Sequence, residues 1–223
     1  MAIAFDAEDR ERITACLLET AERLFAAHGV KKTSLEELVA PAGIAKSSFY
    51  AFFDSKEALY LEVMVRRAPL IGASLARAAD RRPDTEALVE VMRALTDLLS
   101  NDPFYRRLLS HPDELRAVSR RVGEAEVARV NPYVVAPLVD FLRSGQRQGL
   151  IVDDLAPEIL ISVLRTVGLV VAHREDYGAT YGEVLEATIR TLAVGLTRPT
   201  APHSPGGRHE TTDRGGRHLP YDR

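Results

Sequence analysis

The sequence lacks the features that mark several common classes of protein. It has no tryptophan and a single cysteine, Cys16, so no disulfide can form within the chain. A lone thiol inside a helical apolar stripe is more typical of packing than of redox chemistry. The longest apolar stretch, residues 159–172, is interrupted by Arg165 and is shorter than the ~20 residues that a bilayer span needs. The sequence therefore indicates neither a disulfide scaffold nor a membrane protein.

Motifs of catalysis are also missing. There is no glycine-rich phosphate loop after a strand, no HExxH, no nucleophile elbow and no pair of cysteine ligands. His203, His209 and His218 are too widely spaced to suggest a metal site. We therefore expect no enzyme, no cofactor and no bound metal. The first twelve residues, MAIAFDAEDRER, lack the basic start of a signal peptide, which favours a cytoplasmic location without a membrane partner.

Lysine is scarce and unevenly placed. The chain has a net charge of -3, which by itself does not suggest a nucleic-acid binder. Only four of its 29 basic residues are lysines, and all four lie between Lys31 and Lys56. This distribution draws attention to that window.

Apolar residues at helical spacing begin at Arg10 and continue to His28, where Gly29 closes the first helix. Thr33 or Ser34 can cap a second helix, since both fit a capping box. Pro41 limits that helix to about two turns. A third helix over residues 44–53 follows the turn at Gly43, and a longer one runs from Lys56 to about Ala68, where Pro69 kinks or ends it.

The remaining sequence is also helical in pattern. We expect helix starts after residues 84, 102 and 111, interruptions at Pro132 and Pro137, one apolar helix over residues 156–173, and a last helix reaching Leu196. No useful stretch alternates with a period of two, so no sheet is expected. The predicted fold is all-α with about nine helices: a flexible leader (1–9), a three-helix DNA-binding domain (10–55), a helical ligand-binding and dimerisation domain (56–197) and a disordered tail (198–223).

Two short helices joined by a glycine-bearing turn, with a longer helix before them, are typical of a helix-turn-helix, whose second helix enters the major groove. Ile44, Phe49 and Phe53 can hold that helix on the domain. Its outer face then carries Lys46 and small serines, which allow close approach to base edges. The predicted DNA contacts, to bases or phosphates, are Thr33, Ser34, Lys46, Ser47, Ser48, Tyr50 and Lys56.

Four segments in this order resemble the amino-terminal domain of the TetR family. They are residues 26–29 (AAHG), 32–35 (KTSL), 42–53 (AGIAKSSFYAFF) and 55–59 (SKEAL). The resemblance covers about a quarter of the chain. It implies an all-α homodimer that binds double-stranded DNA at a palindromic operator, with contacts at the seven positions named above.

The resemblance also implies that the last two helices form a four-helix dimer interface. For this interface we expect Ile159, Val163, Val167, Val170, Leu185, Ile189, Leu192 and Leu196; burial within one subunit is the alternative. A pocket for a small apolar or amphipathic effector is expected among Met92, Phe104, Tyr105, His111, Tyr133 and His173. The leading hypothesis is a ligand-responsive repressor. A regulator without a ligand and, less favoured, an all-helical enzyme are the alternatives.

Overall fold

The computed structural model describes residues 5–79 and 81–198. Over these ranges the chain forms twelve α-helices and no strand; two residues, Ile151 and Thr197, make one isolated antiparallel bridge. The all-α prediction is confirmed. The count exceeds the expected nine because it includes helices of only four residues, such as Glu124–Val127 and Arg174–Tyr177. None of the helices in the described ranges is long and apolar enough to cross a membrane.

The first helices form a small amino-terminal unit, which we call the head. It contains α1 (Ala7–Lys32), α2 (Leu35–Val39), a 3-10 turn (Ala40–Ala42) and a 3-10 helix (Lys46–Ala51), which we call the recognition segment. The chain then enters α3 (Lys56–Ala79), which continues out of the head into the rest of the molecule.

The remaining helices, together with α3, form what we call the regulatory region. Their bounds are α4 (Thr85–Asn101), α5 (Pro103–Ser110), α6 (Pro112–Val122), α7 (Glu124–Val127), α8 (Asn131–Arg147), α9 (Pro157–Leu164), α10 (Val167–Ala172), α11 (Arg174–Tyr177) and α12 (Tyr181–Leu196). Helix α8 packs along α3, α5 packs against α1 and α4, and α12 packs against α4 and α10.

Side-chain caps start several helices where the sequence predicts them. The Asp84 carboxylate accepts a hydrogen bond from the Ala87 amide at 3.0 Å and starts α4. Asp102 accepts from the Phe104 amide at 2.9 Å and starts α5. These bonds satisfy amides that have no partner inside the helix.

Prolines inside the long helices predict helix ends less well than the side-chain caps predict helix starts. Pro69 lies within α3 and Pro137 within α8, so the predicted end near Ala68 and the predicted interruption at Pro137 are wrong. Proline removes one helical hydrogen bond, but the two helices pack on each other, and that tertiary burial outweighs the loss. The single helix expected over residues 156–173 is instead two helices, α9 and α10, which break at Arg165 and Thr166.

Both ends of the described chain are more ordered than predicted. Helix α1 begins at Ala7, and the Asp6 carboxylate caps it by accepting from the Asp9 amide at 2.7 Å, so residues 7–9 of the expected leader are helical. At the other end the Arg198 amide donates to the Leu150 carbonyl at 2.8 Å, and its guanidinium pairs with Asp153. The rest of the expected disordered tail lies outside the described residues.

Helices α3 and α8 make one very close approach. A Cβ atom at Gly72 of α3 would lie 2.5 Å from the Tyr133 carbonyl oxygen of α8. Glycine at this position therefore lets the two backbones meet without a side chain between them.

Candidate DNA interface and regulatory contacts

The start of α2 is fixed by Ser34 rather than by Thr33. The Ser34 hydroxyl accepts from the Glu37 amide at 3.2 Å, and the Glu37 carboxylate accepts from the Ser34 amide at 2.8 Å, which completes a capping box. Thr33 is only 1% exposed, and its hydroxyl donates to the Gly29 carbonyl at 2.7 Å. Of these two predicted phosphate contacts, Ser34 stays at the surface of the head. The Thr33 hydroxyl is committed to ending α1, which argues against its predicted contact.

The recognition segment places an aromatic pair on opposite sides. Phe49 is fully buried, with its ring 6.1 Å from the ring of Phe53, whereas Tyr50 is 58% exposed. The burial of Phe49 agrees with its predicted role of holding this segment on the domain. Ile44 and Phe53 are half-buried against the same core, as predicted. The inner face holds the segment on the head and leaves Tyr50 projecting from it.

The polar positions of the segment lie on its accessible side. Lys46 and Ser47 are exposed and Ser48 is half-buried. The Lys46 ammonium donates to the Glu36 carboxylate at 2.7 Å. This hydrogen bond raises the pKa of Lys46 and lowers the pKa of Glu36. Lys46, the only charged residue between positions 46 and 51, therefore already has an ionic partner.

Lys56 has a structural role that the sequence does not reveal. Its ammonium donates to the Thr33 carbonyl at 2.6 Å and to the Val30 carbonyl at 2.9 Å. These carbonyls lie at the end of α1, where helical partners are lacking. Lys56 therefore ties the start of α3 to the end of α1, and at most one of its three N–H groups remains for a phosphate.

The end of α1 also contacts the regulatory region, which the sequence does not predict. Gly29 has a φ of 77°, and a Cβ atom there would overlap the Arg107 guanidinium and the Glu114 carboxylate. Those two side chains, from α5 and α6, pair with each other at 2.5 Å and are mostly buried. We call this contact the Gly29 junction. The pattern His28-Gly29 predicts the change in backbone direction but not the ion pair packed on it.

A second contact joins the same parts of the molecule. Arg67 of α3 pairs with Glu22 of α1 and with Asp102, the cap of α5. The Arg67 guanidinium carbon also lies 4.9 Å from the centre of the Tyr105 ring. Burial raises the pKa of Tyr105, whose hydroxyl makes no hydrogen bond within the described part of the chain. A nearly buried cation thus links three helices.

The six predicted pocket residues do not come together. Met92, Phe104 and Tyr105 are buried in the core, where the Phe104 ring stacks on Tyr60 at 5.2 Å. His111, Tyr133 and His173 are exposed. The prediction of one pocket formed by all six is therefore wrong. Helical spacing shows which residues are amphipathic but not which helices meet.

A cavity of about 770 Å³ opens between the head and the regulatory region. It lies in the size range of small-molecule sites. Its walls come from α1, residues 52–55 after the recognition segment, the start of α3, and the end of α6 with Glu126 beyond it. Its lining combines apolar groups (Leu18, Phe52, Phe53, Ala58, Leu61, Val122) with polar or charged ones (Thr14, Asp54, Ser55, Glu62, Arg121, Glu126).

The predicted dimer residues divide into two groups. Val167, Val170, Ile189 and Leu196 are buried within the subunit, which favours for them the alternative of burial within one subunit. Val163, Leu185 and Leu192 are half-buried, and Ile159 is 51% exposed. The prediction omits Leu169, which is 60% exposed on α10, and Val194, which is 64% exposed on α12. An apolar pattern alone does not separate the inner face of such helices from the outer one.

Residues 17–63 match the sequence model of the bacterial regulatory proteins of the tetR family. The chain is also 25% identical to the HTH-type transcriptional repressor KstR2 of Rhodococcus jostii over 189 residues, which are 82% of this chain and 90% of that protein.

Solved structures show the same fold. The transcriptional regulator FadR of Bacillus subtilis, solved with stearoyl-CoA, aligns with a TM-score of 0.62 over 82% of this chain and 98% of its own, at 16% identity. The ketosteroid transcriptional regulator KstR2 of Mycobacterium tuberculosis aligns with a TM-score of 0.54 over 87% and 97%, at 21% identity. Residues 17–63, which include most of the head, therefore match the tetR family of bacterial regulatory proteins, and the described chain has the fold of these two solved regulators.

Proposed function

We propose that the chain is a homodimeric repressor that binds a palindromic operator and is released from it by a small apolar or amphipathic effector. The observation that carries the DNA-binding part is the recognition segment. Phe49 anchors it from within, while Lys46, Ser47 and Tyr50 remain accessible on its other side. Small polar side chains on an exposed segment suit close approach to base edges.

The proposed contacts differ in kind. Ser47 and Ser48 offer hydroxyls that accept or donate to either type of base pair, and Lys46 offers an ammonium to guanine or to a phosphate. Tyr50 and the amides at the start of α2, beside Ser34, suit phosphates. Lys56 contributes to DNA binding mainly by holding α1 and α3 together. The proposed head therefore extends over residues 7–55, and the regulatory region over residues 56–197.

A palindromic operator requires two heads, which two-fold dimers present about 34 Å apart, one turn of DNA. The exposed apolar residues Ile159, Leu169 and Val194 lie on α9, α10 and α12, and α12 packs against α10. Clustered apolar exposure on neighbouring helices favours an interface. We therefore place the dimer face on the outer sides of these helices.

The effector response needs a site whose shape depends on the position of the head. The cavity of about 770 Å³ meets this requirement, because its walls come from both parts of the molecule. A ligand shifts an equilibrium only when it binds one arrangement better than the other. The Gly29 junction and the Arg67 ion pairs then provide the contacts through which the regulatory region acts on α1. The likeness to a regulator solved with stearoyl-CoA supports an amphipathic effector class.

The DNA-binding proposal is tested by selecting random duplexes in vitro with the full chain and measuring affinity for the enriched sequence by fluorescence anisotropy. Tyr50→Ala should weaken binding about ten-fold, the order expected for loss of one charge-assisted hydrogen bond. The matched control is Tyr133→Ala, another exposed tyrosine, in the regulatory region. Failure to enrich any sequence, or equal binding by Tyr50→Ala and the wild type, would contradict the proposal.

A regulator without an effector is the second candidate, favoured by the buried positions of Met92, Phe104 and Tyr105. Stearoyl-CoA and an uncharged steroid, added separately to the complex with operator, distinguish the two candidates. Release by either compound supports an effector, and a Thr14→Trp substitution in the cavity wall should abolish that release. Release that persists in Thr14→Trp places the effector elsewhere. No release across a wider panel of amphipathic compounds favours the second candidate.

A further inference from the structure

The recognition segment has one charged side chain, Lys46, which already forms an ion pair with Glu36. The Lys46 ammonium lies 2.7 Å from a Glu36 carboxylate oxygen, and both side chains are more than half exposed. Glu36 lies in the first turn of α2, ten residues before Lys46 in sequence. The two residues therefore join the two helices that form the DNA-reading surface of the head.

A carboxylate in the first turn of a helix is favourable in itself, but within the described part of the chain Glu36 makes no other side-chain contact that fixes its direction toward Lys46. The capping box of α2 uses Ser34 and the neighbouring Glu37, and the core of the head does not include Glu36. An exposed carboxylate beside a DNA-facing lysine is unfavourable for general attraction to DNA, because phosphates repel it. Its presence at this point calls for a role connected with Lys46.

We propose that Glu36 is a specificity-determining residue, which holds Lys46 away from phosphates and releases it only to a base edge that replaces the carboxylate. This inference rests on the proposed function, since it concerns the selectivity of the same DNA-binding surface. A guanine offers O6 and N7 together in the major groove, so it presents two acceptors to the ammonium. On unmatched DNA, Lys46 can only replace its ion pair with Glu36 by a contact with one phosphate. This replacement is less favourable, since it leaves the Glu36 carboxylate unpaired near a second negative charge.

The consequence is a larger ratio of operator affinity to non-specific affinity. A regulator must find its site among a great excess of competing sequences, so this ratio governs occupancy more than the operator affinity alone. Glu36 lowers attraction to all DNA but lowers it most where no base edge compensates. The recognition segment thereby gains selectivity although its serines discriminate weakly between bases.

The test compares wild type and Glu36→Gln on two duplexes, the sequence selected in vitro with the wild type and a scrambled duplex of the same composition. Glu36→Gln should tighten binding to the scrambled duplex about two- to five-fold, the range that an exposed ion pair supplies. Binding to the selected duplex should change less, so the ratio falls. The slope of log affinity against log salt on the scrambled duplex should steepen by about 0.9, which corresponds to one additional phosphate contact.

Two controls separate this role from simple charge repulsion. Asp140→Asn removes one exposed carboxylate from α8, away from the head and from the proposed dimer face, and should leave both affinities unchanged. In a Lys46→Met background, Glu36→Gln should leave the ratio of the two affinities unchanged, because the proposed selectivity acts through Lys46. Thermal unfolding followed by circular dichroism checks that each variant folds.

The outcomes are distinct. Equal tightening on both duplexes, a fall in the ratio that persists without Lys46, or no change on the scrambled duplex would each overturn the assignment of Glu36. A selection that enriches no sequence at all counts against the proposed function instead, so the two failures are distinguishable.

Discussion

The head and the regulatory region differ in what they leave at the surface. The head leaves one large hydrophobic side chain strongly exposed, Tyr50, on the same short segment as the exposed polar residues Lys46 and Ser47. The regulatory region exposes aliphatic residues instead, among them Leu169 and Val194. Small polar side chains suit contact with DNA, whereas aliphatic side chains exposed on neighbouring helices suit contact with another apolar protein surface. The two regions are therefore built for different partners, and each can be disrupted separately.

The largest effect is expected from emptying the centre of the head. Phe49→Ala removes a fully buried ring and should lower the free energy of unfolding of the head by about 3–5 kcal/mol. Chemical denaturation should then show the head unfolding early, with DNA binding lost and the dimer retained. Tyr50→Ala is the control, since an exposed neighbour should leave stability nearly unchanged. Equal destabilisation by the two substitutions would show that the inner and outer faces are misassigned.

The second prediction concerns the aliphatic surface. Leu169→Glu places a charge on the proposed dimer face and should convert the dimer to monomer at micromolar concentration, as measured by light scattering after size exclusion. Operator affinity should fall with it, because one head then binds alone. Leu70→Glu, at a comparably exposed leucine of α3, provides the control. A dimer that survives Leu169→Glu would place the interface on another surface.

The junction between the two regions gives a smaller effect. Gly29→Ala meets both an unfavourable φ and the Arg107–Glu114 pair, so it should destabilise the chain by about 1–3 kcal/mol. Gly123 has a similar backbone conformation (φ 94°, ψ 154°) but open space around it, so Gly123→Ala isolates the backbone cost. The difference between the two melting temperatures measures the packing at Gly29. Identical shifts would mean that the ion pair moves aside easily.

The smallest effect is expected at the tie between α1 and α3. Lys56→Met removes two hydrogen bonds to carbonyls and should lower stability by about 1–2 kcal/mol. DNA affinity should fall by a similar factor for all sequences, because the position of the head is affected rather than base reading. Lys32→Met is the control at an exposed position of α1. A loss of affinity without any loss of stability would instead favour a direct phosphate contact.

Local rules predict much of the head and the helix starts. Ser34, Asp84 and Asp102 cap helices where the sequence places them, because a cap depends on residues only two or three positions away. The division of Phe49 and Tyr50 between core and surface follows from the same short range. The family resemblance then indicates that these residues, in this order, form a DNA-binding domain.

Contacts between distant helices are beyond such rules. The sequence gives no sign that Arg107 and Glu114 pack on Gly29, or that Lys56 bonds to the end of α1. Pro69 and Pro137 lead to wrong predictions of helix ends, because packing between α3 and α8 compensates for the helical hydrogen bond that each proline removes. Val167 and Leu169, two positions apart, have opposite exposure, which only the packed structure reveals.

The close approach at Gly72 has a mechanical consequence. Sixteen residues separate Gly72 from Lys56 along α3, which corresponds to a lever arm of about 24 Å at 1.5 Å per residue. If α3 pivots on α8 where the two backbones touch, a tilt of about 5° displaces its amino-terminal end by about 2 Å. Because Lys56 is bonded to α1, the head travels with that end. A pivot at Gly72 would thus convert a slight rotation of α3 into a displacement of the head relative to the DNA.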